Sequence, residues 1–245
     1  LIASTLFSIS IVAEEQFQLT NGNFLILEDF MGELCIQSGQ TILFIGDSIT
    51  DCGRRGDAAP LGNGYVRFFS ELAMAYYPER DIHYINTGIG GNRITDLKGR
   101  WEEDALAHKP DWLSIKIGIN DLHSYLRGDP NGVNPELYAE IYHQLLEETT
   151  KRLDCSIVLI EPFYMSRDTS GQTFQSQVLE VLPKYLETVH RMSEKYGAKL
   201  VRTHDMFQLQ LQYRDSSVYC QEPVHPNLTG HLLIGVEVFK VLCED

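Results

Sequence analysis

The sequence predicts an α/β protein built on a single doubly wound, flavodoxin-like parallel sheet with helices on both faces. Three observations predict it. Short apolar runs recur along the chain, helix-length segments separate them, and the polar motifs able to carry chemistry follow the ends of those runs. Strand–helix alternation implies right-handed crossovers, which build a parallel sheet covered by helices.

An extension with β character, residues 1–38, precedes that rhythm. Residues 16–20 and 23–27 flank Asn21-Gly22. Asn-Gly between two such runs signals a β-hairpin, because both residues tolerate the positive φ of a type I′ turn. The expected organisation is an N-terminal β-hairpin extension over 1–38 and one α/β domain over 39–245. Residues 1–13 are apolar and end in small residues before Glu14-Glu15, as a signal-peptide remnant would. They lack a basic leading segment, and the alternation of Thr5, Phe7, Ile9 and Ile11 favours a strand.

The sheet rhythm begins at 41–45, a continuous apolar run typical of a strand buried on both faces. Further strands are expected at 82–86, 112–117, 156–160 and 199–201. Helices are expected at 65–77, closed by Pro78, and at 95–108, closed by Lys109-Pro110. The next runs over 135–153 and opens on proline, a good first helical residue. Two more follow, at 174–196 before Gly197 and at 229–242. No internal repeat or low-complexity linker interrupts them.

Composition narrows the function classes. The 245 residues are 43% apolar and 22% charged, ordinary values for a globular chain. The net charge of -14 argues against nucleic-acid partners, which need clustered Lys and Arg, and against anionic membrane surfaces. No apolar run approaches the ~20 residues needed to span a bilayer. A neutral substrate fits this charge, since it gains nothing from positive steering. The five cysteines (35, 52, 155, 220 and 243) are scattered, odd in number and without metal-ligand spacing. They favour a cytoplasmic chain, whereas a signal-peptide reading of 1–13 would make it secreted.

Four motifs lie in order at strand ends or in a loop on the same sheet edge, where open α/β sheets bind ligands. Gly46-Asp47-Ser48-Ile49-Thr50 follows the first strand and lifts a serine hydroxyl above the sheet. A serine nucleophile needs such exposure and a base; a serine at a strand–helix junction is, in isolation, more often an N-cap. Asn86-Thr87-Gly88-Ile89-Gly90-Gly91-Asn92 follows the second strand, and its glycines leave backbone N–H groups free to hold an oxyanion. Arg93 stands where a dinucleotide fingerprint wants its third glycine, so nucleotide binding is not expected. Gly118-Ile119-Asn120-Asp121 offers an amide donor, or simply an Asn-Asp turn. In Glu222-Pro223-Val224-His225-Pro226-Asn227, a carboxylate three residues before a histidine can bond its Nδ1–H and leave Nε2 facing a serine. Glu102-Glu103-Asp104 reads as a solvated helix face, and Trp101 and Trp112 as core. His204, Asp205 and His231 lack metal-ligand spacing.

Together these pieces resemble the blocks of the GDSL/SGNH hydrolase family, in family order, over residues ~40 to 242. Longer runs are similar to the acetyl-xylan esterase branch: Phe44 through Cys52, Asp96 through Asp104, Lys109-Pro110-Asp111-Trp112 through Ile117-Gly118-Ile119-Asn120-Asp121, Glu161-Pro162-Phe163-Tyr164, and His225-Pro226-Asn227-Leu228-Thr229-Gly230-His231. The resemblance implies Ser48 as nucleophile, His225 as base, and Gly91 N–H and the Asn120 amide as oxyanion donors beside Ser48 N–H. The family normally carries Asp where this chain has Glu222. Three readings stand, in this order of preference: Glu222 replaces it directly, Asp215 or Asp205 substitutes, or the site is weakened. Asp47, Asn92 and Arg93 are expected to line the substrate pocket because they adjoin these positions.

The expected function is a serine esterase removing acetyl or other short-chain acyl groups from carbohydrate, with acetylated xylan or xylo-oligosaccharides as substrate. Its partner is then a small-molecule or oligosaccharide ester; no metal and no cofactor is needed, and members of the branch often form homo-oligomers. Activity should fall on the acid side as His225 protonates. The alternatives are an SGNH esterase or lipase acting on other short-chain esters or thioesters, or a catalytically silent carbohydrate-binding relative.

Overall fold

The computed structural model describes residues 32–243. The hairpin expected around Asn21-Gly22 and the segment 1–13 lie outside the described residues. Five strands form one sheet: β1 (Thr41–Gly46), β2 (His83–Asn86), β3 (Trp112–Lys116), β4 (Ser156–Ile160) and β5 (Lys199–Val201). All pairings are parallel, in the order β2-β1-β3-β4-β5. That is the flavodoxin-like order, and the chain reverses direction across the sheet between β1 and β3. β1 and β3 lie inside the sheet, and their apolar runs are buried on both faces.

Nine α-helices connect the described strands: α1 (Ser48–Asp51), α2 (Tyr65–Tyr76), α3 (Ile94–Gly99), α4 (Trp101–Asp104), α5 (Ile119–Leu126), α6 (Pro135–Arg152), α7 (Phe174–Tyr196), α8 (Thr203–Gln210) and α9 (Leu228–Leu242). α2 packs on α9 in one layer, while α3, α5, α6 and α7 pack together in the other. Phe69 of α2 joins the first layer to the sheet: its ring meets Phe44 of β1 at 5.7 Å and Phe239 of α9 at 6.4 Å. Trp101 is buried with its Nε1–H on Thr149 Oγ1, and buried Trp112 donates to Gln40.

Three differences from expectation have local causes. The helix expected over 95–108 is broken into α3, α4 and a 3₁₀ turn, Leu106–His108. Gly99 is a weak helix former. The next residue, Arg100, sends its guanidinium to the carbonyls of Thr87 and Gly46, which fixes the break. α5 and α8 were not anticipated. α5 starts at Gly118, whose φ of 135° is open to glycine and closes the preceding turn sharply. Finally, Leu34 and Ile36 are fully buried, Cys35 N–H donates to Leu242 O, and Arg80 bonds the carbonyls of Leu34 and Ile36. Residues 34–36 therefore pack into the α/β body, ahead of the boundary expected at 38.

Candidate active site

The turn after β1 is built around a buried ion pair. Asp47 N-caps α1, its Oδ1 accepting from Ile49 N–H at 3.0 Å. Its Oδ2 lies 3.4 Å from Nζ of Lys116, the last residue of β3, and both side chains are fully buried. Burial pushes the Lys116 ammonium below its usual range, while Asp47 holds it up. Lys116 also sits 5.0 Å over the Phe163 ring. Asp47 was expected to touch substrate. Its burial removes it from any cleft, and it anchors the helix that carries Ser48 instead.

Ser48 Oγ lies 2.8 Å from His225 Nε2. His225 Nδ1 is hydrogen-bonded to Glu222 Oε1. The Glu222 carboxylate also folds back on its own turn, accepting from His225 N–H at 2.9 Å and Val224 N–H at 3.1 Å. Those backbone contacts seat the longer side chain and place its oxygen on the imidazole. Because a carboxylate only accepts, the Nδ1 proton stays on His225 and the Nε2 lone pair faces the serine. The turn is pinned by Asn227 N–H to Tyr219 O at 2.8 Å and by a bridge between Cys220 and Pro226. The other two acids are occupied elsewhere: Asp215 caps a 3₁₀ turn through Ser217 N–H, and Asp205 pairs with Arg202.

The loop after β2 is clamped against α1. Asn86 Nδ2 donates to Thr50 O at 2.7 Å and Leu61 O at 2.8 Å. A Cβ on Gly88 would fall 2.4 Å from Asp51 N, so only glycine permits that approach. Asp51 accepts from Gly90 N–H at 3.1 Å, and Arg54 Nε donates to Gly88 O at 2.5 Å. Gly91 then adopts φ 80° with open space around it. Asn120, in the first turn of α5, donates from Nδ2 to Asn92 O at 3.1 Å, which orients its amide.

Of the other two residues expected to line the pocket, Asn92 is engaged elsewhere: its side-chain oxygen accepts from Arg100 Nε at 2.8 Å. Its contribution is the carbonyl that aims Asn120. Arg93 lines a cleft of about 310 Å³ together with Gly91, Asn120 and His123, and it pairs there with Asp96 and Asp129.

Several residues were given no role in the motif reading. Arg100 ties Asn92 Oδ1, Thr87 O and Gly46 O to one guanidinium, which also pairs with Asp104. Asp121 is fully buried, accepts from Ile94 N–H at 2.8 Å and so joins α5 to α3; burial raises its carboxyl to about 7. His123 stands one turn after Asn120, edge-on to Tyr164 at 5.8 Å and Phe174 at 5.2 Å, and burial lowers its imidazole to about 4. His231 accepts Tyr65 N–H on Nδ1 at 3.2 Å and meets Cys52 Sγ at 3.4 Å through Nε2. The sequence signal available for them was chiefly their place in or beside the motifs and family-like runs.

This site, on this sheet, has the form of a serine hydrolase centre. The model of the GDSL-like Lipase/Acylhydrolase family matches residues 44–233, and the chain belongs to that family, a class of carboxylic ester hydrolases. Among its relatives, an acetylxylan esterase of Geobacillus stearothermophilus is 38% identical over 209 residues, covering 82% of this chain and 92% of that protein. The crystal structure of Axe2, an acetylxylan esterase from the same organism, matches with a TM-score of 0.77 at 35% identity, over 86% of this chain and 97% of that one. LAE5, an alpha/beta hydrolase enzyme from the metagenome of Lake Arreo, Spain, matches with a TM-score of 0.77 at 27% identity, over 86% of this chain and 99% of that one. Catalytic mutants of Axe2 with a serine, an aspartate or a histidine changed to alanine have similar folds, and the aspartate stands three residues before the histidine.

Proposed function

We propose that this chain is a serine esterase that removes acetyl groups from carbohydrate, with acetylated xylan or xylo-oligosaccharides as substrate. The observation that carries the reading is the Ser48–His225–Glu222 relay at the carboxyl edge of the sheet. The acetylxylan esterase activity named for the 38%-identical relative supports the substrate class.

In the proposed mechanism His225 Nε2 takes the hydroxyl proton as Ser48 Oγ attacks the acetyl carbonyl carbon. The oxyanion is held by the N–H groups of Ser48 and Gly91 and by the Asn120 amide, each such donor contributing about 3 kcal/mol to the transition state. The bond to the sugar oxygen then breaks, and His225 returns the proton to that oxygen. Water, deprotonated by the same imidazole, attacks the acyl-serine; acetate leaves and Ser48 regains its proton. Glu222 stays ionised, orients the ring and offsets its positive charge. No step calls for a metal or an organic cofactor. Residues 39–245, with 34–36 packed onto them, act as one hydrolase domain in this reading.

Acetate release from acetylated xylan by wild type, Ser48→Ala and Glu222→Ala tests it. The expected result is an active wild type, a dead Ser48→Ala and a severely impaired Glu222→Ala. A wild type that binds acetylated xylo-oligosaccharide and releases no acetate would instead mark a silent binding protein. Cleavage of simple acetyl esters without xylan would keep the chemistry and change the substrate.

A further inference from the structure

A second cleft, of about 570 Å³, opens beside the relay. Glu222 and Pro223 of the histidine loop form one wall, the segment around Arg167 after β4 forms another, and Tyr213 and Arg214 stand at the rim. Glu222 thus belongs to both places: one imidazole ring and two hydrogen bonds separate Ser48 Oγ from the cleft wall. The volume is that of an ordinary small-ligand site.

The lining has an unusual balance. The Tyr213 side chain makes no hydrogen bond or ring contact with any described residue and is 75% exposed. Arg214 has no hydrogen-bond or ion-pair partner for its guanidinium among the described residues, and Arg167 donates only to Leu211 O at 3.0 Å. Arg donors left open at a cleft are capacity for a ligand. Against these two cations stand two carboxylates, Asp215 and Glu222, so the cleft is close to electroneutral. A phosphate or carboxylate ligand would meet the acids, and a fatty acyl chain would meet charged and amide groups with nothing to bond. A neutral polyol fits both halves of the lining. Its hydroxyls donate to the carboxylates and accept from the guanidinium groups, while its C–H face packs on the tyrosine ring, which has an apolar body and a polar tip.

We infer that this cleft is a glycosyl subsite, holding the neutral sugar units next to the acetylated one while the ester lies at Ser48. The inference rests on the reading of the chain as a carbohydrate acetyl esterase and adds a place and a length preference. The enzyme gains rate from oligosaccharide esters through a wall that small esters never touch, which is remote binding energy used at the reacting centre.

The test compares kcat/KM for acetylated xylose, acetylated xylotriose and 4-nitrophenyl acetate in wild type, Tyr213→Ala and Arg214→Gln. Wild type should favour the xylotriose ester over the xylose ester by about tenfold, the scale of one aromatic contact plus hydrogen bonds. Each variant should bring that ratio towards one. The ratio is internal to each preparation, so partial loss of folded enzyme does not mimic the effect. Calorimetry of unacetylated xylotriose with Ser48→Ala should show saturable binding, weakened at least about tenfold when Tyr213→Ala is added. A wild-type ratio near one, or ratios and binding unchanged in both variants, overturns the subsite. Failure of the parent reading looks different: only the nitrophenyl ester is cleaved and neither acetylated sugar releases acetate. If xylotriose also fails to bind, the subsite falls with it.

Discussion

Ser48 and His225 are 177 positions apart in the chain and 2.8 Å apart in space, and Glu222 completes the line. Glutamate serves here because its carboxylate is held by two backbone N–H groups of its own turn as well as by the imidazole. Glu222→Gln keeps the shape and offers a neutral amide in place of the charge, so kcat should fall by roughly 10³–10⁴-fold with KM little changed. A loss below tenfold in single-turnover acetate release would remove Glu222 from the relay. Asn120→Ala takes away a donor needed only when the oxyanion forms; kcat should drop by about 10²–10³-fold. An effect confined to KM would show that Asn120 binds the ground state instead. The motifs singled out Ser48, His225 and Glu222, the family resemblance supplied the roles of the first two, and the acid stayed open between Glu222 and Asp215 or Asp205. The role of Asp47 was not legible, because a carboxylate beside a nucleophile reads the same whether it faces the cleft or turns inward to Lys116.

At the scale of elements, the site is the meeting of four strand or loop ends, and each is locked by a partner from another. Lys116 at the end of β3 holds the N-cap of α1 through Asp47. Removing one member of a buried pair leaves the other charge without compensation. Lys116→Met should therefore destabilise the fold by about 3–5 kcal/mol in urea unfolding. Adding Asp47→Asn should recover much of that loss, since asparagine still caps the helix and carries no charge. A double variant no more stable than Lys116→Met would refute the pairing as the cause. Gly88→Ala should separate the β2 loop from α1, because its methyl would meet Asp51 N at 2.4 Å. The five strands and the helices over 65–76, 135–152, 174–196 and 228–242 follow from apolar runs and their proline, glycine and asparagine punctuation. The broken α3–α4 segment does not, because its break is made by Arg100 reaching carbonyls far away in sequence.

At the scale of the molecule, buried titratable groups set the acid stability. Burial holds His123 and His231 down at about 4, against an ordinary 6.5. Between those values the unfolded chain binds protons that the folded chain refuses. Their contribution to stability is therefore full above 6.5 and is lost as the pH falls towards 4. Asp121 works the other way: burial raises it from 3.8 to about 7, so the folded chain keeps a proton the unfolded chain releases. Burial also lowers His204 and raises Glu161, so three histidines oppose two carboxyls; partly exposed His123 counts for less, and the net slope is at most about 1.4 kcal/mol per pH unit. Tm should fall as the pH drops from 6.5 to 4.5, and His231→Gln should flatten the fall. An unchanged slope in that variant would place the acid sensitivity elsewhere.

By itself the sequence determined the class of fold, the order of its elements and the four motifs of the site. Those features are written in short-range signals: apolar runs, helix starts and stops, and glycines where the backbone must come close. The tertiary structure alone decided which side chains answer one another across the crossovers. It turned Asp47 inward to Lys116, spent Asn92 on Arg100, folded Glu222 onto His225, and left Tyr213 and Arg214 standing open at a cleft. The physical reason is that a side chain's partner depends on the packing of segments distant in sequence, and local pattern carries no record of that distance.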